Sequence, residues 1–340
     1  MRSNYKNSKV LIIAEAGVNH NGDIDIAKEL IRQAASAGAD IVKFQTFKAE
    51  KLLTKDAPKA DYQIDDSKEE TSSYEMLQNL ELSEDDHAIL IKECKKENIE
   101  FLSTAFDEVS LHFLIDQGIS RIKIPSGEIT NQPLLNFISK FDLPIILSTG
   151  MADLSEIQCA ISALSANKLT KKNISILHCT SQYPADHADL NLKAIQSMMN
   201  RFDMNIGYSD HSLGPEASIA AVALGATIIE KHITLDCKMS GPDHKASMEP
   251  KQFKSMVSSI RNIEKSLGDG LKKPTKSEME MRLVARKSLV ANQNIQKGDV
   301  FTLENVAVKR PGNGISPMKI NEILGTKSQH SFKVNDLIKI

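Results

Sequence analysis

Strand-like apolar runs alternate with amphipathic helical segments over most of the chain. The runs begin at eight positions: Val10, Ile41, Ile99, Arg121, Pro144, Ile174, Asn205 and Thr227. The fourth run, RIKIPSGE, predicts a strand from 121 to 128. The segments between them carry apolar residues at helical spacing, as in 24–37, 84–97 and 250–267. Continuous apolar strands that alternate with helices indicate a parallel sheet covered on both faces. Eight such units over roughly 250 residues predict a (β/α)8 barrel.

The first strand–helix turn distinguishes this barrel from the doubly wound open sheet, the other common parallel architecture. Its sequence, Glu15-Ala16-Gly17-Val18-Asn19, lacks the glycine-rich fingerprint of dinucleotide-binding sheets. The barrel is therefore the preferred prediction. A polar stretch at 48–72 is too long for a simple connection, so we expect a functional loop there.

The pattern changes after residue 268. Residues 269–285 are charged and polar and contain Pro274, which is typical of a linker. From 286 to 340 short strand-like runs alternate with tight turns, which predicts a second domain of about 55 residues. A domain of this size is close to the lower limit for independent stability, so we expect it to lean on another surface. The predicted organisation is a barrel at 1–268, a linker at 269–285 and a small domain at 286–340.

Composition excludes several classes of partner. The 340 residues carry a formal charge of −2, aromatic residues make up 5% and tryptophan is absent, which argues against nucleic-acid binding. No apolar run approaches the length of a membrane span or of a signal-peptide core. The four cysteines form no CxxC pair, and Cys94, Cys159 and Cys179 lie in helix or strand patterns. We therefore expect buried thiols and a cytoplasmic protein.

In a barrel, functional side chains lie at the carboxyl ends of the strands. Lys43 and Lys123 lie inside strand-like apolar runs, and a lysine is seldom buried without a partner. One interpretation pairs them with Glu15 and Glu128 as structural ion pairs. The other is an anionic ligand, because ammonium and hydroxyl donors suit phosphate and carboxylate. We prefer the anion pocket, since hydroxyl groups are available at the strand ends from Thr104, Ser126, Ser148 and Ser209.

Two histidines follow the last two predicted strands. His211 ends the seventh strand and His232 the eighth, and in a βαβ unit both leave the same end of the sheet. Glu230 lies two residues before His232 and points to the same side. A strand-end histidine is often only a hydrogen-bonded structural residue, whereas two imidazoles near a carboxylate suit a divalent metal. The anion pocket expected at the same end of the barrel favours the metal.

A series of motifs in chain order resembles the sialic acid synthase family: IIAEAGVNHNGD, VKFQTFKA, FLSTAFD, KIPSGEITNQP, ILSTGM, GYSDHS, IEKHITLD, SGPDHKAS and KRPGNGISP. This family includes N-acetylneuraminate, legionaminate and pseudaminate synthases. The resemblance implies a TIM barrel followed by an antifreeze-like (SAF) domain. It also implies a domain-swapped homodimer in which the small domain of one subunit caps the barrel of the other.

The implied reaction condenses phosphoenolpyruvate with an open-chain N-acetylated amino sugar, giving a nine-carbon 2-keto acid and phosphate. The resemblance assigns proton handling, or the orientation of the attacking water, to Glu15 and Glu128. It assigns a divalent ion, usually Mn²⁺ with Mg²⁺ or Co²⁺ as alternatives, to His211 and His232. Ser181 stands where some members carry Asn, so its role is left open. The phosphoenolpyruvate pocket would consist of Lys43, Thr104, Lys123, Ser126, Ser148 and Ser209. The sugar would contact Gln45, Tyr183, Asp243 and, from the other subunit, Arg310.

N-acetylmannosamine is the preferred sugar, which makes N-acetylneuraminate the expected product. A legionaminate synthase acting on 2,4-diacetamido-2,4,6-trideoxymannose is an open alternative, because one sequence does not define the pocket wall. A pseudaminate synthase is disfavoured, since that subgroup departs from IPSGE and RPGNG. Another phosphoenolpyruvate-dependent aldol-type synthase, acting on a sugar phosphate, is disfavoured. Such an enzyme would not need the KRPGNG domain to recognise an N-acetyl group. A non-catalytic carbohydrate-binding protein is disfavoured by the complete set of polar strand ends.

Overall fold

Residues 9–58 and 72–340 are described by the structure, a computed structural model. Eight parallel strands close into a barrel in sequence order, which confirms the predicted fold. The strands are β1 (Leu11–Gly17), β2 (Ile41–Thr46), β3 (Glu100–Ala105), β4 (Ile122–Ile124), β5 (Ile145–Ser148), β6 (Ile174–Cys179), β7 (Asn205–Asp210) and β8 (Ile228–His232). Strand β1 pairs with both β2 and β8, so the sheet has no free edge.

Helices cover the outside of the barrel, and the longer ones bury an apolar face against it, whereas in α2 and α3 only Ala49 and Ser73 are buried. They are α1 (Ile24–Ala37), α2 (Ala49–Leu52), α3 (Ser73–Gln78), α4 (Glu84–Lys96), α5 (Glu108–Asp116), α6 (Gln132–Ile138), α7 (Leu154–Leu164), α8 (Ala194–Phe202), α9 (Glu216–Ala223) and α10 (Pro250–Ser266). Local chemistry sets the helix ends. In α1 the Asp23 carboxylate accepts from the backbone N–H groups of Asp25 and Ile26, and Gly38 ends the helix with φ of 88°.

Two predicted segments differ from the structure. The fourth strand was expected to run from 121 to 128, but β4 ends at Ile124 because Pro125 has no N–H to donate to a ladder. Residues Ser126–Glu128 form a 3₁₀ turn instead. Within the expected loop at 48–72, α2 occupies Ala49–Leu52, and residues 59–71 lie outside the described part of the chain.

The lower part of the barrel interior is apolar. Its buried side chains come from six strands and form one cluster: Ile13, Ile41, Leu102, Ile146, Leu177 and Ile228. Strand β7 contributes Gly207 at this level, where a Cβ would lie 2.5 Å from Leu177 Cδ2 and 2.6 Å from the Ile228 carbonyl oxygen. The interior is therefore filled by packing, and glycine is the residue that fits at this position.

The chain divides into two compact units, Met1–Gly268 and Asp269–Ile340. The second contains α11 (Lys276–Ala285), the antiparallel strands β9 (Ser288–Ala291) and β10 (Val306–Lys309), and α12 (Ile320–Ile323). Helix α11 occupies part of the predicted linker. Its start carries a capping box, in which the side chains of Thr275 and Glu278 each bond the other's backbone N–H. The small core consists of Leu289, Ala291, Ile295, Phe301, Val306, Ile323, Phe332 and Ile338.

The cysteine environments are mixed. Cys94 and Cys179 are buried, as expected, but Cys159 is exposed, so the expectation of a buried thiol is wrong there. Cys159 lies on α7, whose buried face is formed by other positions, including Ile157 and Ile161. Among the helices of the described residues, none is both long and apolar enough to cross a membrane.

Candidate active site

The polar side chains predicted for the strand ends form a layer directly above the apolar cluster. Successive inward positions on a strand are two residues apart. Each apolar residue of the cluster is therefore followed, one pleat further on, by a polar or thiol-bearing one. Ile13 precedes Glu15, Ile41 precedes Lys43, Leu102 precedes Thr104, Ile146 precedes Ser148, Leu177 precedes Cys179, Gly207 precedes Ser209 and Ile228 precedes Glu230.

Lys43 lies at the centre of this layer, with its side chain 4% exposed. Its Nζ lies 2.7 Å from Glu15 Oε2 and 3.8 Å from Glu230 Oε2. It also donates to Thr104 Oγ1 at 3.0 Å. The strand register supports the closest pair, since Glu15 is the direct partner of Lys43 across β1 and β2. One lysine thus connects four strands.

Lys123 forms the second half of the layer. Its Nζ donates to Ser148 Oγ at 2.7 Å and lies 3.5 Å from Glu230 Oε1. Glu230 also accepts from Ser209 Oγ at 3.0 Å. The alternative ion pair between Lys123 and Glu128 is wrong, because Glu128 lies in the 3₁₀ turn and its Oε2 accepts from Asn131 Nδ2 at 2.6 Å. Glu230, which had no assigned role beyond its place near His232, is the carboxylate shared by both lysines.

The two buried carboxylates differ in their protonation. Burial raises the pKa of Glu15 to about 7, a rise that Lys43 only partly opposes and Glu230 strengthens. Burial would also raise the pKa of Glu230, but the ammonium groups of Lys123 and Lys43 outweigh it and lower that pKa to about 2. Glu230 is therefore a permanent anion, whereas Glu15 exchanges a proton near neutral pH. A carboxyl group in this range is suited to proton transfer.

The pKa values of the two lysines shift in opposite directions. Burial alone would lower the pKa of Lys43, but the charges of Glu15 and Glu230 outweigh it, so the pKa of Lys43 is raised. The pKa of Lys123 is lowered, chiefly by burial. When Glu15 is protonated, two ammonium groups face one carboxylate, and the layer has an excess of positive charge. Such a layer is suited to an anion.

Ser126 and Gly150 form a tight corner beside Lys123. The Ser126 hydroxyl accepts from the Gly150 N–H at 2.9 Å and lies 3.2 Å from Cys179 Sγ. A Cβ on Gly150 would lie 2.1 Å from Ser181 Oγ and 2.9 Å from Ser126 Oγ. Glycine is thus required for the chain to pass so close to two hydroxyl groups. Gly150 was not predicted as a site residue, although its position in the STG run at the end of β5 was a usable signal.

The two histidines lie together at the ends of β7 and β8, with ring centroids 5.6 Å apart. His211 Nδ1 lies 2.7 Å from the Thr180 carbonyl oxygen. Because a carbonyl only accepts, Nδ1 carries the proton, and the Nε2 lone pair of the neutral ring faces Ser209 Oγ at 3.4 Å. Burial lowers the pKa of His211 to about 4 and that of His232 well below its usual range. Both rings are therefore neutral near pH 7, which is the metal-binding form.

The donor set fits a partial metal site. Neutral imidazoles are ligands for divalent transition-metal ions, and the bond from His211 to a carbonyl is the usual means of fixing a ligand's tautomer. Within residues 9–58 and 72–340, no group of three or more His, Cys, Asp and Glu side chains is arranged to hold a metal ion. The histidines would therefore hold an ion whose remaining ligands come from substrate or solvent.

The residues assigned to the sugar divide between the two units. Tyr183 stacks on His211 at 4.1 Å and meets the edge of His232 at 5.7 Å. Gln45 Nε2 donates to Glu15 Oε1 at 3.4 Å. Asp243 Oδ2 lies 3.6 Å from His232 Nδ1, and burial raises the pKa of Asp243 to about 6. Arg310 belongs to the second unit, where it is exposed.

Gly17 lies where the side chains of Glu15, Gln45 and Asp243 converge. It has φ of 51°, in the region that favours glycine. A Cβ at Gly17 would lie 3.3 Å from Glu15, 3.4 Å from Asp243 and 3.5 Å from Gln45. The barrel mouth thus has a carboxylate–amide side around Glu15 and a hydroxyl–ammonium side around Lys123, with the histidines between the ends of β7 and β8.

A closed barrel with buried acid, base and anion-binding groups at the carboxyl ends of its strands is the architecture of an enzyme. The chain belongs to the NeuB family, whose model matches residues 30–272, and a SAF domain follows at residues 286–339. It is 51% identical to the N,N'-diacetyllegionaminic acid synthase of Campylobacter jejuni over 97% of this chain and 99% of that protein.

Two further relatives agree with this membership. The N,N'-diacetyllegionaminic acid synthase of Legionella pneumophila is 48% identical over 93% of this chain and 89% of that protein. The crystal structure of N-acetylneuraminic acid (sialic acid) synthetase from Leptospira borgpetersenii in complex with citrate superposes with a TM-score of 0.72. It is 37% identical and covers 81% of this chain and 90% of that chain. The resemblance drawn from the motifs is confirmed.

Proposed function

We propose that this enzyme condenses phosphoenolpyruvate with 2,4-diacetamido-2,4,6-trideoxymannose to give N,N'-diacetyllegionaminic acid and phosphate. The observation that carries the choice of sugar is the identity of 51% and 48%, over nearly the full chain, to two relatives with that named product. N-acetylmannosamine, the sugar preferred from the sequence alone, is the second candidate. The 37% identity to a sialic acid synthetase supports it.

Phosphoenolpyruvate would occupy the hydroxyl–ammonium side of the barrel mouth. Its phosphate and carboxylate are strong hydrogen-bond acceptors, and ionised donors bind such groups most strongly. The proposed donors are Lys43, Lys123 and four hydroxyl groups, those of Thr104, Ser126, Ser148 and Ser209. The hydrogen bonds that Lys43 and Lys123 make to Thr104 and Ser148 hold the ammonium groups in place before the ligand arrives. Preorganised donors of this kind cost little to align.

The sugar would occupy the side around Glu15, with Gln45, Tyr183 and Asp243 as its contacts. C3 of phosphoenolpyruvate attacks the sugar aldehyde carbon, and a C–C bond forms while the aldehyde oxygen gains negative charge. Glu15, half neutral near pH 7, is the proposed donor of a proton to that oxygen. A divalent ion held by His211 and His232 would supply Lewis-acid polarisation of the same oxygen.

Water then completes the reaction at C2, which becomes electron-poor as C3 attacks. Glu128 is the proposed group that orients this water and takes its proton. It lies two residues after Ser126, on the hydroxyl–ammonium side of the mouth. The C2–O bond to phosphate breaks last, which leaves the 2-keto acid and inorganic phosphate. Glu230, a permanent anion between the two lysines, would balance their charge when the phosphate leaves.

The assembly and compartment are part of the same proposal. We propose a homodimer in which the small unit of one subunit presents Arg310 to the sugar in the other subunit's barrel, and a cytoplasmic location. Exposed apolar side chains on α11 support a protein partner for the small unit: Met279, Met281, Leu283 and Val284.

Phosphate release from phosphoenolpyruvate tests the proposal. The full chain, stripped by chelator and reloaded with Mn²⁺, is assayed with the diacetamido sugar and with N-acetylmannosamine. We expect release with both, a higher kcat/KM for the diacetamido sugar, and loss of release in chelator and in His232→Ala. His178→Asn is the matched control, because His178 Nε2 bonds the Leu190 carbonyl away from the proposed ligands. A higher kcat/KM for N-acetylmannosamine would select the second candidate, and no release with either sugar would refute both.

A further inference from the structure

An ion pair lies behind the two histidines, on the outer face of the same strands. Asp210 precedes His211 and Lys231 precedes His232, so their side chains point away from the site. Lys231 Nζ lies 3.0 Å from Asp210 Oδ2, with side-chain exposures of 1% and 0%. Burying two charges is costly, and apolar residues would fill the same space at least as stably. The pair therefore calls for an explanation other than stability.

Asp210 is held from three more directions. Its Oδ1 accepts from the Ser212 N–H at 2.9 Å and from Ser212 Oγ at 2.6 Å. Its Oδ2 accepts from Ser218 Oγ on α9 at 2.7 Å. Lys231 Nζ in turn donates to the Ser212 carbonyl oxygen. Together these contacts fix the turn by which the chain leaves β7, and His211 lies inside that turn.

The position of the pair in the sheet explains what this fixation achieves. The ladder between β7 and β8 runs through Tyr208 with Ile229 and Ser209 with Glu230, and it ends at Asp210 with Lys231. Beyond that last pair, His211 and His232 are held on opposite sides. The His211 carbonyl accepts from Ala185, whereas His232 pairs with Glu15 of β1. The ion pair is thus the last connection across β7 and β8 before the two imidazoles.

We propose that Asp210 and Lys231 form a clasp that sets the spacing and aim of His211 and His232 for a divalent ion. Both are positioning residues, since neither touches the ligand. The proposal rests on the metal site of the proposed function. Groups that orient metal ligands from behind commonly change metal affinity by about 10–100-fold when removed.

Lys231→Met is the informative variant. The Asp210 carboxylate keeps its three hydrogen bonds from Ser212 and Ser218, which partly compensate for the lost ammonium group. The measurement is the Kd for Mn²⁺ of the metal-free full chain without substrates, from the electron paramagnetic resonance signal of free Mn²⁺. We expect the Kd to rise at least about 10-fold, and Lys231→Arg to restore most of the affinity.

Arg121→Met is the matched control. Arg121 bonds Glu100 through two nitrogens at 2.7 and 2.9 Å and so joins β3 to β4 at the opposite ends of the strands. Its loss removes a less buried inter-strand ion pair, with side-chain exposures of 25% and 28%, and the Mn²⁺ Kd should stay unchanged. An equal rise in both variants would show a general structural effect and overturn the clasp.

Two further outcomes are decisive. If the wild type binds no Mn²⁺, the metal site fails and the clasp with it. If the wild type binds and Lys231→Met binds equally well, the clasp alone is refuted and the proposed metal site stands. Should Lys231→Met not fold, Ser218→Ala removes one bond to Asp210. A smaller rise in Kd would then support the clasp, and an unchanged Kd would overturn it.

Discussion

Two layers of the barrel interior lie one pleat apart and have different roles, one in stability and the other in chemistry. The lower layer is apolar and close-packed, with Leu177 and Ile13 fully buried. The upper layer buries Glu15, Lys43, Lys123 and Glu230 among hydroxyl groups. Burying charges is unfavourable unless each is paired, whereas burying methyl and methylene groups is favourable by about 25 cal/mol per Å². The lower layer therefore holds the barrel closed, and the upper layer gives up stability to create reactive groups.

The comparison shows that a residue's position along its strand, rather than its burial, distinguishes structural residues from reactive ones in this barrel. Both layers are hidden from water, and the same strands supply both. Substitutions in the upper layer should lower turnover far more than substitutions in the lower layer, which should act mainly on the free energy of unfolding. Three experiments can break or sharpen that division.

The largest effect is expected in the upper layer for Glu15→Gln. Loss of a positioned acid or base costs about 10²–10⁴-fold in kcat, while the amide keeps the shape and still accepts from Lys43. The pKa of Glu15, about 7, also predicts the direction in which kcat changes with pH. The neutral form donates, so wild-type kcat should fall as pH rises through about 7, and this limb should vanish in the variant. Phosphate release between about pH 5.5 and 9, with thermal unfolding as the control, tests it. Full turnover in Glu15→Gln would remove Glu15 from the proposed mechanism.

The next effect is expected in the lower layer for Leu177→Ala. Truncation of a fully buried leucine costs about 2–5 kcal/mol through lost burial and the cavity that remains. Chemical denaturation should show this loss in the free energy of unfolding, and kcat per folded molecule should stay close to that of the wild type. A fall in kcat without a fall in stability would contradict the division between the layers.

The smallest effect is expected for Gly207→Ala, which adds a methyl group to the lower layer. That methyl would meet Leu177 Cδ2 at 2.5 Å and the Ile228 carbonyl at 2.6 Å, and overpacking of this kind costs about 1–3 kcal/mol. Gly127→Ala is the control, because a Cβ at Gly127 has no neighbouring heavy atom within 4 Å. Combined with Leu177→Ala, the cost of Gly207→Ala should shrink, since the two sites share one space. Simple additivity would show that Leu177 is not the obstructing side chain.

Much of the fold was predictable because its signals are local. Apolar runs of strand length and helices with capping residues recur regularly, and β1 and α1 follow the predicted bounds within one residue. The failures also have local causes. Pro125 ended β4 early, and the Thr275–Glu278 capping box built a helix inside the predicted linker. Cys159 was misjudged because a helical pattern alone does not say which face is covered.

The sequence by itself determined that Lys43, Lys123, His211 and His232 lie towards the carboxyl ends of their strands, and hence that they meet at one end of a barrel. It did so because parallel strands carry their carboxyl ends to the same side. Only the tertiary structure decided which carboxylate each lysine faces, that Glu15 rather than Glu230 is protonated near pH 7, and that Asp210 and Lys231 close the last rung behind the histidines. Those outcomes depend on distances of a few ångströms between residues far apart in the chain and on how completely each is shielded from water. Neither quantity is encoded in the spacing of residue types.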